Sequence, residues 1–299
     1  MFNIISKTKY AYIFSITLMV LSVVSLFMWG LKFGIDFTSG TLMEVQFANT
    51  VPANQEIENV LQELNLKSLT LQSTNKSSVL IRYASEDAAI NQKVSQKISD
   101  AYKDSKELRV EFTDPSVSSE LKSKSLRALF WATMGIMAFI AWAFRKVSRP
   151  IESWKYGAGA VIALIHDVLI TVGVFSILGH FKGVEVGVPF IAALLTILGF
   201  SVHDTIVVYD RTRENLLKGS NKEAFPDMVN RSLNETLVRS INTSLTVVIT
   251  LLALYIFGGD SIKNFALTLL IGVTFGTYSS IFIASALLVT SYNLQLKKR

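Results

Sequence analysis

The chain has 299 residues, half of them hydrophobic, and a formal net charge of +6. The hydrophobic residues are gathered in long runs rather than dispersed, and this distribution is typical of an integral membrane protein. The sequence contains no cysteine, which excludes a disulfide framework and a thiolate metal site. The positive charge alone would suit a nucleic-acid-binding protein, but the distribution of the basic residues favours membrane orientation instead.

Six apolar runs are candidates for membrane-spanning helices, which need about 20 residues. Four runs contain no charged residue, and the other two contain one internal acid each, Asp167 and Asp204. The first run is too long for the core of a signal peptide, so we expect an uncleaved anchor. The second run is the shortest, so we expect its helix to include flanking residues. The predicted spans are 10–31, 128–144, 156–181, 186–209, 240–259 and 264–296.

The basic residues predict how these spans are oriented. Fifteen Lys and Arg residues lie near the two ends of the chain and in the loops after spans two and four, against one in each short loop on the other side, Lys182 and Lys263. Cytoplasmic loops carry such an excess, so both termini are predicted to be cytoplasmic, and nucleic-acid binding is not expected. The fifteen are Lys7, Lys9, Arg145, Lys146, Arg149, Lys155, Arg211, Arg213, Lys218, Lys222, Arg231, Arg239, Lys297, Lys298 and Arg299.

Residues 32–125, between spans one and two, are polar and mixed in charge, and they predict a small soluble domain on the outer face. The pattern gives the order β-α-β-β-α-β of the ferredoxin-like split fold, which by itself indicates no function. No group of His, Asp and Glu residues in this domain has metal-site spacing. The predicted elements are a strand at 41–47, a helix opened by Pro52, strands at 69–72 and 79–83 with a turn at 75–77, a helix capped by Ser85 and a strand at 108–112.

Two acids lie inside apolar spans. Asp204 lies seven residues before Arg211 at the predicted membrane edge, roughly 10 Å along a helix, and Asp167 lies about 16 Å into its span. A charge at the bilayer centre costs at least ~2.5–3.5 kcal/mol, so both carboxyls should face protein or water. We predict that Asp204 carries protons, the alternative being a helix–helix hydrogen bond or a fixed ion pair, and that Asp167 has either a proton-carrying role or a structural one. His166 and His203 are treated as separate groups because adjacent helix positions point in different directions.

A polar stripe begins the fifth span. Arg239, Asn242 and Thr243 share one helical face, which makes Arg239 a candidate partner of Asp204 or else a basic anchor at the membrane surface. The loop before it, within 211–238, predicts an amphipathic helix on the inner surface of the membrane. Small residues favour close helix packing, and we expect this at Gly199, Gly272 and Gly276. The apolar face of the amphipathic helix contains Phe225, Met228, Val229, Ser232, Leu233, Thr236 and Leu237.

Several stretches resemble the SecF family of protein-export membrane proteins, in the family's order and over essentially the whole chain. Residues 33–40, FGIDFTSG, are similar to the family's Gly-Ile-Asp-Phe-Thr-Gly-Gly, with Ser39 where glycine is usual. The most specific stretch is GFSVHDTIVVYDRTREN at 199–215, where His203 replaces an expected asparagine. The others are LIHDV at 164–168, NETLVRSINTS at 234–244, LYIFGG at 254–259 and GVTFGTYSS at 272–280.

The resemblance implies an RND-type half of six transmembrane helices, with a ferredoxin-like α+β periplasmic domain inserted between helices 1 and 2. It implies a heterodimer with SecD in the bacterial inner membrane, docked on SecYEG with YajC as a further partner, which acts on the translocating preprotein at the periplasmic side. The energy source would be the proton-motive force, with no cofactor and no catalytic residues. Asp204 and Arg239 occupy the family's acidic and basic positions, and His203, Asn242 and Thr243 would modulate them.

Two other functions are considered. An RND-type proton-driven exporter of small molecules or lipids shares the helix pattern, but residues 32–125 leave little room for a substrate duct. An intramembrane enzyme would need paired catalytic groups, and the adjacent His–Asp pairs at 166–167 and 203–204 are not expected to share a face.

Overall fold

The computed structural model describes residues 2–48, 51–73, 77–85, 87–144, 151–218 and 223–297. The chain divides into two units, one formed by Met1–Lys32 with Leu126–Arg299 and the other by Phe33–Ser125. Part of the predicted turn at 75–77 lies outside the described residues. So do six of the basic residues used to predict orientation: Arg145, Lys146, Arg149, Lys222, Lys298 and Arg299.

Within the described ranges, six helical stretches are long and apolar enough to cross a membrane, as the sequence predicts. The second helix is 29 residues long and begins 13 residues before the predicted apolar run. The flanking residues therefore give this helix the length that it needs to cross the membrane. The last is interrupted by one π-helical turn. The helices are α1 Thr8–Trp29, α5 Pro115–Ala143, α6 Ser153–Lys182, α7 Val188–Lys218, α8 Phe225–Phe257, α9 Asp260–Ser279, the π-turn Ser280–Ala284 and α10 Ser285–Lys297.

The second unit is a four-stranded antiparallel sheet with two main helices, in the predicted order β-α-β-β-α-β. The strand order β2-β3-β1-β4 places the first strand between the last and the third. Alternate side chains of the sheet and the apolar stripes of the helices form its core, which includes Met43, Val45, Ile57, Ile81, Val94 and Ile98. The elements are α2 Ile35–Thr38, β1 Gly40–Phe47, α3 Asn54–Leu61, β2 Lys67–Ser73, β3 Ser78–Ala84, α4 Ala88–Ala101 and β4 Ser105–Thr113.

Two helix starts in this unit differ from the prediction. The cap of α4 is Asp87, whose Oδ1 accepts a hydrogen bond from the Ala89 amide at 2.8 Å. Ser85 instead accepts from the Asp87 amide, so it shapes the turn before the helix. Helix α3 begins at Asn54, two residues after Pro52. A capping side chain must lie immediately before the first helical turn, and the pattern alone did not fix that turn.

The segment expected to lie on the membrane surface is instead the first part of α8, which runs unbroken to Phe257. Its apolar face is buried in protein, where Phe225, Val229 and Leu233 belong to one core with Tyr209 and Leu288. The surface-helix prediction was therefore wrong. An amphipathic pattern shows that one face is covered, but it does not distinguish lipid from protein as the cover.

Polar contacts also hold the start of α8. The Asn215 amide on α7 donates to Ser232 and to Glu235, both at 2.9 Å, and Arg211 donates to Glu235 at 2.6 Å. On its other side, the Asn234 side chain accepts from the Phe2 amide at 2.7 Å and donates to the Phe2 carbonyl at 2.9 Å. These bonds fix the helix that carries the polar stripe.

Candidate functional site

The two intramembrane acids are both buried among helices of the first unit. The exposed fraction is 0% for Asp167 and 2% for Asp204. Their elements are α6 and α7, which pack against each other and against α9. A buried carboxylate needs hydrogen-bond donors, so the donors around each acid indicate how firmly its ionised form is held.

Asp167 is held by donors from three helices. Its Oδ2 accepts from Ser201 on α7 at 2.6 Å and from Ser279 on α9 at 2.7 Å. Its Oδ1 lies 2.8 Å from His166 Nδ1. Three short contacts satisfy this carboxylate almost completely and tie α6 to α7 and α9.

His166 and Asp167 form a pair, which the sequence argument excluded. The two Cβ atoms do point in different directions, but the imidazole is long enough for Nδ1 to reach the short carboxyl beside it. With Asp167 ionised, Nδ1 is the donor, and the other ring nitrogen, Nε2, has no hydrogen-bond partner among the described residues. The ring lies against Tyr278, with centroids 6.2 Å apart. The pair sits inside the helix bundle, since His166 is 1% exposed.

Asp204 has a sparser environment. Among the described residues its Oδ2 accepts one hydrogen bond within 3.5 Å, from Ser244 on α8 at 3.3 Å, and the Thr277 hydroxyl also lies near this carboxyl. The Ser244 hydroxyl in turn accepts from Thr277 on α9 at 2.6 Å. A chain of hydroxyls therefore leads from Asp204 across α8 to α9. This acid keeps unused acceptor capacity, in contrast to Asp167.

The predicted pairing of Arg239 with Asp204 is not found in this chain. Arg239 is exposed and has no ion-pair partner among the described residues, and Asn242 and Thr243 on the same helical face are also exposed. His203 is exposed too, because it lies on the side of α7 that faces away from the buried residues Val202 and Asp204. The α8 residue that reaches Asp204 is Ser244, one turn further along the helix.

The three glycines differ in their surroundings. A Cβ on Gly272 would lie 2.2 Å from the Ile197 side chain, and one on Gly276 would lie 3.1 Å from Ser201 Cβ and 3.6 Å from Asp167 Oδ2. These two positions bring α9 close to α7 beside the Asp167 pocket. Around Gly199 a Cβ would meet nothing within 4 Å, so close packing within this chain does not require glycine there.

The hydroxyl donors were missed from the sequence. Ser201 and Ser279 donate to Asp167, Ser244 donates to Asp204 and Thr277 donates to Ser244, and none of these hydroxyls was singled out as a donor from the sequence. The sequence did contain a signal for these donors, because a polar side chain in an apolar span is costly unless it has a hydrogen-bond partner. Among the described residues no group of three or more His, Cys, Asp or Glu could hold a metal ion.

Comparisons with known proteins give the family. The family model for the C-terminal region of the SecD/SecF protein export membrane proteins matches residues 93–294, and the SecD/SecF GG motif matches residues 24–51. The chain belongs to the SecD/SecF family. The resemblance read from the sequence motifs is thereby confirmed.

Relatives in this family match along nearly their whole length. A protein translocase subunit SecF from Thermobaculum terrenum is 44% identical over 302 residues, which cover 97% of this chain and 94% of the relative. The SecF subunit of Haemophilus influenzae is 36% identical, with coverages of 97% and 85%. The crystal structure of SecDF from Thermus thermophilus, a translocon-associated membrane protein, superposes with a TM-score of 0.86 at 30% identity. It covers all of this chain, which spans 39% of that longer polypeptide. The RND-type fold with an inserted small domain is confirmed.

The GG motif of the SecD/SecF family forms a tight entry to β1. Ser39 has φ 60° and Gly40 has φ 114°, so both residues lie in the left-handed region. A Cβ on Gly40 would lie 2.6 Å from the Tyr83 carbonyl oxygen, which makes glycine necessary there. Ser39 adopts the conformation that glycine adopts most readily, so this departure from the family motif keeps the turn at a cost in backbone strain.

Proposed function

We propose that this chain is the SecF-type subunit of a protein translocase and that it acts with a SecD-type partner in a bacterial inner membrane. Relatives named as SecF subunits match this chain nearly end to end. The SecDF polypeptide is longer: this chain matches 39% of it, and the remaining 61% lies outside the match. A small-molecule exporter is not favoured by any of these relatives.

The partner is expected to cover polar side chains that this chain leaves open. Arg239, Asn242 and Thr243 on α8 are exposed in or beside a membrane span, and so is His203 on α7. An uncovered charge facing lipid is costly, so a SecD-type subunit or a water-filled space between the subunits should meet this face. SecYEG, YajC and the translocating preprotein are further partners in this proposal, with both termini cytoplasmic and the inserted domain on the periplasmic side.

The energy source in this proposal is the proton-motive force, with no bound cofactor and no enzymatic step. The observation that carries it is the buried Asp204 carboxyl, which has one long hydrogen bond from Ser244. Protonation of such a group breaks little existing structure and turns an acceptor into a donor, which changes the contact between α7 and α8. Moving one charge through 100 mV supplies ~2.3 kcal/mol, enough to shift a two-state helix packing. Arg239 would act with this acid at the partner contact.

Asp167 and its His166 neighbour are a second proton-binding candidate. Because three donors stabilise the carboxylate, proton uptake there requires several hydrogen bonds to rearrange. We therefore assign the primary role to Asp204 and a positioning role to Asp167, which holds α7 and α9 around the hydroxyl chain.

The test compares Asp204→Asn with the native protein in a strain lacking this gene, with export of a secreted precursor as the readout. Export should fall to the level of the deletion strain, and the remaining export should no longer respond to an ionophore. Asp210→Asn is the matched control, because this acid on the same helix is exposed and its ion-pair partner among the described residues is Arg213 at 3.4 Å. Co-purification with the SecD-type subunit checks assembly. Undiminished export by an assembled Asp204→Asn variant would rule out the proton role.

A further inference from the structure

A groove opens between the first turns of α6 and the end of α10, away from both acids. Its volume is about 440 Å³, and it lies where two spanning helices reach the same edge of the membrane. It is lined by residues of both helices, among them Glu152, Lys155, Ile162, Leu287, Leu294 and Gln295.

The outer rim of the groove carries one charge of each sign. Lys155 Nζ donates to Gln295 Oε1 at 3.1 Å and lies 3.5 Å from Glu152 Oε2. The Trp154 indole donates to the same Glu152 oxygen at 2.8 Å. The pKa of Glu152 is lowered, mainly by this indole hydrogen bond and to a smaller extent by the charge of Lys155. The carboxylate is therefore ionised at neutral pH. The rim is therefore locally zwitterionic, and Trp154 is a residue type enriched at membrane interfaces.

The inner part of the groove is apolar. Ala158 and Ile162 on α6 face the groove opposite Leu287 and Leu294 on α10. Its floor is backbone at Gly159, where a Cβ would lie 2.7 Å from the Tyr209 hydroxyl. Ile162 and Leu294 are about half exposed, so the channel is open along its length to the hydrocarbon of the bilayer.

We propose that this groove binds one molecule of phosphatidylethanolamine. Lys155 and Gln295 meet the phosphate, Glu152 meets the ammonium, and an acyl chain lies between Ile162 and Leu287. The pair of opposite charges selects this headgroup: a purely anionic phosphatidylglycerol would place negative charge beside Glu152, and a choline headgroup offers no N–H donor to the carboxylate. The apolar channel below the rim accepts the chain that follows the headgroup.

The full-length chain, purified in detergent and titrated with phosphatidylethanolamine or phosphatidylglycerol, tests this by native mass spectrometry. The native protein should hold one phosphatidylethanolamine in preference to phosphatidylglycerol. Lys155→Gln should weaken both lipids by about fivefold, the effect of one basic residue near a headgroup. Glu152→Gln should remove the preference between them, and Ala158→Phe should displace the lipid by filling the channel.

Lys182→Gln is the matched control, because this exposed lysine ends the same helix on the other side of the membrane. Circular dichroism and the thermal unfolding midpoint establish that each variant is folded. Equal binding of the two lipids by the native protein, or unchanged binding by Lys155→Gln or Ala158→Phe, would overturn the proposal. An Ala158→Phe variant that does not fold leaves Glu152→Gln as the decisive comparison, since that change lies on the exposed rim.

Discussion

The surroundings of Asp167 and of Asp204 differ although both acids are buried in adjacent helices. Asp167 has three close donors from α6, α7 and α9, whereas Asp204 has one long contact with α8. A fully satisfied carboxylate stabilises the arrangement that satisfies it, and a sparsely satisfied one changes protonation at less structural cost. The comparison teaches that burial alone does not distinguish the two acids, and that the number of hydrogen-bond donors around each carboxyl does.

Removal of each carboxyl gives the largest expected contrast. Asp167→Ala should lower the free energy of unfolding by about 2–4 kcal/mol, because His166 Nδ1 and the Ser201 hydroxyl lose their acceptor, while Ser279 keeps the Gly276 carbonyl at 3.1 Å. Asp204→Ala should cost less than about 1 kcal/mol, because Ser244 keeps its contact with Thr277. Thermal unfolding in detergent measures both. Equal losses would show that the two environments are energetically alike and would remove the basis for separating their roles.

Glycine packing beside the two acids gives the next contrast. Gly276→Ala should cost about 1–3 kcal/mol, because the new methyl group meets Ser201 at 3.1 Å next to Asp167. Gly199→Ala should stabilise the isolated chain by roughly 0.5–1 kcal/mol, since alanine is the better helix former and its Cβ meets nothing there.

The same variants locate the partner surface. If Gly199→Ala leaves the isolated chain stable but weakens co-purification with the SecD-type subunit, close packing at Gly199 belongs to that contact. A tolerated Gly276→Ala, with an unchanged unfolding midpoint, would contradict the tight packing of α9 on α7.

Much of the fold was predictable because its causes are local. Long apolar runs predict the membrane spans. Alternating apolar and polar residues predict the strands, and apolar residues at helical spacing predict the helices, in the order β-α-β-β-α-β. The surface-helix prediction for α8 failed because the pattern around Phe225 and Val229 is the same whether lipid or protein covers it. Whether a helix continues through a polar segment depends on tertiary contacts such as that of Asn215 with Ser232, which no window of sequence contains.

The candidate site was predictable only in part. An acid in an apolar span is visible in the sequence, and both Asp167 and Asp204 are buried as expected. Their partners depend on the rotation of neighbouring helices, which decides that Ser244 rather than Arg239 faces Asp204. The contact between His166 and Asp167 depends on side-chain reach, which an argument from helical position neglects.

Removal of single hydroxyl groups gives the smallest expected contrast between the surroundings of the two acids. Ser279→Ala removes one of the three donors to Asp167 and, with this carboxyl ionised, should cost about 1.5–3 kcal/mol, because hydrogen bonds to charged groups are the stronger ones. Ser244→Ala removes the donor that contacts Asp204 at 3.3 Å, and because this contact is long, its stability cost should stay below about 1 kcal/mol.

The functional order of these two serine variants should be the reverse of their stability order. Ser244→Ala interrupts the hydroxyl chain between Asp204 and Thr277, so export should fall although the protein is stable. Ser279→Ala should keep most export at temperatures where the protein remains folded, because Asp204, the proposed proton carrier, is untouched. Precursor export and unfolding midpoints measured on the same preparations separate the two effects. A Ser279→Ala variant that is stable but inactive would move the proton role to Asp167 and His166.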